Sequence, residues 1–274
     1  MIGRLLPATV AIAWRPDDSE PVTLFPEESA FVAGAVEVRR REFATVRHCA
    51  RLALRDLGLP EVPLVPGPRG APRWPSGVTG SMTHCAGYRA AALARTADVL
   101  SIGIDAELAG TLPDGVLEAV TLPGERRHLA ELADRAPHIS WEPLLFSAKE
   151  SVFKTWYPLT GRELEFEEAT VEFTLDEAPG PEAATEPEGA AEPEAAPGPE
   201  ATPEPRDGRG ALVPDGRGAP PADGPDVSPP SPEGSFHARL LVPGPVAGGV
   251  RYGHFTGRWL ANGGLVCTAI VLPR

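Results

Sequence analysis

The chain has 274 residues, 42% of them hydrophobic and 23% charged, enough for one large or two modest domains with a real core. No basic stripe offers a nucleic-acid surface, and no run approaches the roughly 18 consecutive apolar residues of a membrane span. The net charge of −13 is localised, because residues 177–234 hold 13 acids against 3 arginines and leave the rest near neutral.

From the start, MIGRLLPATVAIAW has a mild apolar character interrupted by Pro7 and lacks a small-residue cleavage site, so it is expected to form a first strand. Residues 33–57, AGAVEVRRREFATVRHCARLALRDL, place Val36, Phe43, Val46, Ala50, Leu54 and Leu57 at helical spacings, and Gly58 closes the helix. A loop rich in proline and glycine follows. GSMTHCAGYRAAALAR and DVLSIGIDAE then read as two strands. Residues 115–133 have helical character broken at Pro123, and 142–156, with FSAKESVFKTW, form a third helix.

Residues 177–234 contain 15 of the 33 prolines and almost no large apolar side chain. Such a stretch cannot bury enough surface to offset its ordering entropy and is expected to be a disordered insertion. ATVEFTL (169–175) and SFHARLLV (235–242) alternate with period two on either side, as neighbouring strands joined by an overgrown connection would. A strand, an Asn262–Gly264 turn and a closing strand complete the chain. The expected class is α+β, with helices on mainly antiparallel strands. The order of elements points to two similar halves in pseudo-twofold relation, 1–103 and 104–274, the second carrying the insertion. Cys49, Cys85 and Cys267 are widely spaced, without a CxxC pair, which fits a reducing, cytoplasmic setting.

Asp105 and Glu107 stand two apart at the end of an apolar strand, so their side chains share a face about 6.6 to 7 Å apart along the chain. Hard cations such as Mg²⁺ bind through one or two carboxylates plus substrate phosphates, a pattern this pair suits. An isolated pair of this kind is usually solvated, and the helix FSAKESVFK adds what the pair lacks. It carries Glu150 and Lys154 on one face, with Lys149 about 100° round. Three acids and two lysines make a candidate magnesium-diphosphate site. His84 near a strand start is an apt donor to a phosphate, and Arg73 lies in the loop before it. Arg47 and Arg51, four apart, can converge on one anion, whereas Arg39, Arg40 and Arg41 read as a solvated face.

Taken in series, RREFATVRHCARLAL, GAPRWPSGVTGSMTH, SIGIDAE and FSAKESVFK resemble the 4'-phosphopantetheinyl transferases, in particular the bacterial enterobactin-synthetase type and its surfactin-type relatives. The resemblance covers about residues 30–175. It implies a monomer of two similar halves with the active site between them, moving phosphopantetheine from coenzyme A to a serine of an apo acyl or peptidyl carrier protein. It further implies that Asp105, Glu107 and Glu150 are magnesium ligands and that Lys154 and His84 contact the coenzyme A phosphates. Arg47 and Arg73 match positions near the 3'-phosphate and adenine, and Lys149 is a fainter match to the phosphate-binding role. Glu150, or a water that it or the metal polarises, is the expected base, with Glu125 ranked behind the three acids and Arg126 and Arg127 as rim residues for an acidic carrier. The acidic insertion departs from the family pattern. A magnesium-dependent phosphohydrolase and a non-catalytic adaptor are the competing readings.

Overall fold

The computed structural model describes residues 1–175 and 231–274. Most of the expected insertion therefore lies outside the described residues. Its expected end overruns the structure, because a strand already begins at Glu233.

Chain order begins with a short 3₁₀ turn, Ile2–Leu5, before strand β1 (Ala11–Arg15), so the expected first strand is only the second half of that segment. Ile2 and Leu5 are buried and turn inward as a plug. Helices α1 (Pro26–Phe31) and α2 (Glu37–Asp56) follow, and the residue after Leu57, Gly58, takes φ of 69°, the left-handed closure expected of it. The segment read as one strand from Gly80 to Arg95 is a hairpin, β2 (Val78–Cys85) and β3 (Tyr88–Arg95), turning at Ala86 and Gly87. Gly87 has φ of 82°, which the two-residue turn requires. Strand β4 (Val99–Leu108), helices α3 (Val116–Val120) and α4 (Pro123–Arg135), and the long helix α5 (Trp141–Thr160) come next. Pro123 sits in the first turn of α4, where its missing N–H costs nothing. Strands β5 (Ala169–Leu175), β6 (Glu233–Leu240), β7 (Val246–Ala247), β8 (Val250–Arg251), β9 (His254–Asn262) and β10 (Leu265–Pro273) complete the order.

The architecture is α+β with antiparallel sheets. One sheet has the order β1-β3-β2, with α2 packed on β1 and β3. A second has the order β4-β10-β9-β6-β5, with α5 packed on β4 and β10, and β7 and β8 form a separate two-stranded ribbon. β5 and β6 pair as antiparallel neighbours across the undescribed residues, as their alternation predicts.

Period-two alternation explains what each buried strand does. On β3, Ala90, Ala92 and Ala94 enter one apolar cluster while Ala91 and Leu93 enter another under α2 with Cys49, Ala50 and Leu54. Alanine suits a strand buried on both faces because it lets both neighbours approach. On β4, Ile102, Ile104 and Ala106 face the first cluster. Ser101, Gly103, Asp105 and Glu107 alternate with them, and this polar side is the one that α5 covers.

β5 is an edge strand, and α4 covers its outward amides. Val171 N–H donates to Glu125 Oε1 at 2.8 Å and Phe173 N–H donates to His128 Nε2 at 3.0 Å. Pairing an edge in this way blocks sheet-to-sheet association.

Candidate active site

Helix α5 approaches β4 as closely as two backbones allow. A Cβ on Gly103 would lie 2.0 Å from the Ser151 carbonyl oxygen and 2.4 Å from Thr155 Oγ1. Ser147 and Ser151 place their hydroxyls 2.9 and 2.7 Å from Thr268 Oγ1 on β10, and Ser101 Oγ donates to the Thr155 carbonyl at 2.8 Å. Residues four apart share a helix face, so 147, 151 and 155 seat the helix while 150 and 154 lie about 100° round the same turns.

That seating carries Lys154 to Asp105. Its ammonium donates to Asp105 Oδ1 at 2.6 Å and to the Ile104 carbonyl at 3.4 Å. Asp105 is 3% exposed, and its second oxygen, Oδ2, is buried with no hydrogen-bond partner. Burial and the Asp105 charge push the Glu107 carboxyl up to about 7, and burial likewise raises Glu150, with Asp105 adding and Lys154 opposing. Burial works to lower the Lys154 ammonium, but Asp105, Glu150 and Glu107 outweigh it and hold it above its ordinary value. Asp105 alone is bonded to the ammonium while Glu107 and Glu150 act on it through their charge, and a hard divalent cation fits this excess of oxygen donors in a poorly solvated place. Among the described residues, no three histidine, cysteine, aspartate or glutamate side chains are already drawn into a metal cluster.

Beside the acids opens a cavity of about 690 Å³. Its walls come from α2, the 66–74 loop, β2 and the second half of α5, with Trp74, Met82, Phe153 and Tyr157 as apolar lining. His84 lines it, accepting or sharing a hydrogen bond at 2.6 Å with Arg39 Nη1. Partial burial and Arg39 lower the His84 pKa, so the neutral ring accepts from the guanidinium. Arg47 also lines the cavity, its guanidinium 3.1 Å over the Phe43 ring and donating to the carbonyls of Leu64 and Phe43. Burial lowers it to about 10.

Other sequence-selected residues stand elsewhere. Arg51 does not join Arg47 at an anion. It is 4% exposed and grips Glu28 with both carboxylate oxygens within 3.1 Å, while donating to the Thr23 carbonyl. Lys149 points away from Lys154, into a second cavity of about 190 Å³ that Glu150 also lines. There its ammonium donates to the carbonyls of Phe166 and Ala169 and pairs with Glu125 at 2.9 Å. Burial lowers the Lys149 pKa against the pull of Glu125. Glu125 is itself consumed by Lys149, the Leu122 and Val171 amides and the start of α4. Arg73 is exposed and lays its Nε 3.0 Å from where a Gly67 side chain would begin. Arg126 caps Thr121, and Arg127 is exposed.

Arg39 is the reverse case. Read as one of three solvated arginines, it bridges α2 to His84 and lines the cavity, whereas Arg40 and Arg41 pair with Glu37 at the surface. Arg39, which also pairs with Glu42 at 3.2 Å, and Lys154 bring cations to the cavity that the neutral His84 ring lines with them.

A family model described as the 4'-phosphopantetheinyl transferase N-terminal domain matches residues 27–94, and one described as the 4'-phosphopantetheinyl transferase superfamily matches residues 101–196. The chain is 50% identical to the 4'-phosphopantetheinyl transferase Svp of Streptomyces mobaraensis over 99% of this chain and 89% of that one. It is 41% identical to the 4'-phosphopantetheinyl transferase Npt of Nocardia iowensis over 98% of this chain and 99% of that one. Enterobactin synthase component D of Salmonella typhi is 32% identical over 43% of this chain and 48% of its own length. The chain belongs to the 4'-phosphopantetheinyl transferases, enzymes that transfer a phosphopantetheine group.

Proposed function

We propose that this chain takes the 4'-phosphopantetheine arm from coenzyme A and attaches it to a serine hydroxyl of an apo acyl or peptidyl carrier protein, releasing 3',5'-ADP, with Mg²⁺ held by Asp105, Glu107 and Glu150. The observation that carries it is the buried, unpartnered Asp105 Oδ2, whose other oxygen is bonded by Lys154, a residue that also lines the large cavity with Arg39 and Arg47.

In this reading the diphosphate of coenzyme A lies where the cavity meets the acids. A divalent cation held by Asp105, Glu107 and Glu150 would supply positive charge to the diphosphate as it reacts. Lys154 and His84 neutralise the oxygens on the cavity side, and Lys154 reaches them by leaving Asp105. Arg47, and Arg73 at the loop, receive the nucleotide end. The serine oxygen forms a bond to the β-phosphorus as the bond from that phosphorus to the bridging oxygen breaks, and the bridging oxygen departs with 3',5'-ADP. Glu150 takes the hydroxyl proton, directly or through a water. Arg126 and Arg127 form a basic rim for an acidic carrier helix. The setting we assign is a cytoplasmic monomer. Among the described residues no helix is long and apolar enough to cross a membrane, and all three cysteines are unpaired.

The test is chromatographic. Coenzyme A incubated with the protein and Mg²⁺ should yield 3',5'-ADP only when an apo carrier is present. Release without a carrier would replace this reading with a phosphohydrolase, and no release with any carrier would favour an adaptor.

A further inference from the structure

β2 and β4 belong to different sheets yet run side by side, and two hydroxyls join them. Ser81 Oγ accepts the Ile104 N–H at 3.1 Å, and Thr83 Oγ1 accepts the Ala106 N–H at 3.1 Å. Each supplies a β4 amide with the acceptor that a backbone ladder would otherwise provide. Thr83 then goes one step further. Its hydroxyl proton is directed at Asp105 Oδ1, 3.2 Å away, a second bond that a hydroxyl can make while accepting the first.

Both groups are dry: Thr83 and Asp105 are each 3% exposed. Thr83 and Lys154 converge on the same carboxylate oxygen, and the other, Oδ2, is left buried without a partner. Lys154 is a flexible side chain that also borders the large cavity, whereas Thr83 is a short β-branched one fixed by the Ala106 amide. When the lysine moves to a ligand, Thr83 is the contact that keeps the carboxylate from turning.

We propose that Thr83 is a positioning residue of the active centre. It holds Asp105 by Oδ1 so that Oδ2 is presented to a divalent cation. The inference rests on the reading of Asp105 as a cation ligand. Ser81 supplies an internal comparison, since it supports β4 in the same way by accepting the Ile104 N–H and makes no hydrogen bond to the carboxylate.

The experiment is a titration of the full-length protein with Mn²⁺ alone, read by the electron paramagnetic resonance signal of the free ion, for wild type, Thr83→Val, Thr83→Ala, Thr83→Ser, Ser81→Ala and Asp105→Asn. Thr83→Val and Thr83→Ala should weaken Mn²⁺ binding about 10- to 100-fold, the usual effect of removing a ligand's supporting hydrogen bond. Thr83→Ser should restore it to within about threefold, and Ser81→Ala should bind nearly as wild type although its melting temperature falls as much as that of Thr83→Val. Thr83→Ala keeps the test decisive if the valine variant does not fold. Equal weakening by Ser81→Ala and Thr83→Ala, or none by Thr83→Ala, would overturn the positioning role while leaving Asp105 as ligand. Wild-type binding that Asp105→Asn does not change, or no binding at all, would overturn the cation reading itself and this inference with it.

Discussion

Lys154 Nζ and Asp105 Oδ1 lie 2.6 Å apart although 49 residues separate them in sequence. Helix α5 and strand β4 bring them together because Gly103 removes the side chain that would hold the helix off. The ammonium thus rests on a carboxylate that the proposed chemistry needs for a cation, and it borders the cavity that the proposed chemistry needs for a diphosphate.

Lys154→Met should therefore have effects of opposite sign on two measurements. Removing a cation aimed at the developing phosphate charge should lower kcat by about 10²- to 10³-fold. Freeing Asp105 Oδ1 and deepening the negative field should tighten Mn²⁺ binding in the absence of coenzyme A. Weaker Mn²⁺ binding would show that the lysine supports the acids rather than competing for them.

His84 gives a pH dependence with a definite sign. Partial burial and Arg39 hold its pKa below the ordinary 6.5, with Lys154 and Arg89 adding and Glu42 opposing. The unfolded chain takes up a proton first as pH falls, so stability contributed here is lost on going below about 6.5 toward the folded value. His84→Gln should flatten that part of the stability profile. Coenzyme A, as an anion beside the ring, should raise the pKa, seen as an upward shift of the imidazole proton titration by NMR. No shift on adding coenzyme A would place the phosphates elsewhere.

Arg47 and Arg51 should separate cleanly. Arg51→Met leaves Glu28, fully buried, without its counter-ion and should cost about 3–5 kcal/mol of stability, read by chemical denaturation. The double change Glu28→Gln with Arg51→Met should recover much of the loss. Arg47→Ala should instead raise the KM for coenzyme A. A selective rise in that KM for Arg51→Met, at unchanged stability, would contradict the assignment.

Gly103→Ala should be among the most damaging single-methyl changes in the chain. Its Cβ meets backbone oxygen rather than a side chain that can swing away, so overpacking of about 1–3 kcal/mol or more is expected. Ser151→Ala removes a hydroxyl from the same interface without a clash and should cost less. The comparison is read from melting temperatures and transfer rates together.

Much of this was legible in the sequence because it follows from local pattern. Helix α2, the break at Pro123, the pairing of β5 with β6 and the closing hairpin all come from periodicity and turn residues. So does the placing of Asp105 and Glu107 on one face of β4, opposite Ile104 and Ala106. What escaped depends on partners distant in sequence. Arg51 and Lys149 look like free cations until Glu28 and Glu125 are seen to hold them. Arg39 looks solvated until β2 brings His84 to it. The 78–95 hairpin was hidden because both faces of β3 are buried, so AAALA shows no polar alternation to mark where one strand stops. Thr83 carried a signal that went unread: Ser81 and Thr83 alternate with Met82 and His84, hydroxyls toward β4 and the larger side chains toward the cavity.

The most direct test is the mass of the acceptor. Apo acyl and peptidyl carrier proteins are incubated with the protein, coenzyme A and Mg²⁺, and the modified residue is mapped by mass spectrometry. The account predicts one phosphopantetheine on the carrier serine, lost with EDTA and lost with Asp105→Ala while the variant remains folded. Full modification of the carrier by Asp105→Ala, or undiminished modification in EDTA, would contradict it.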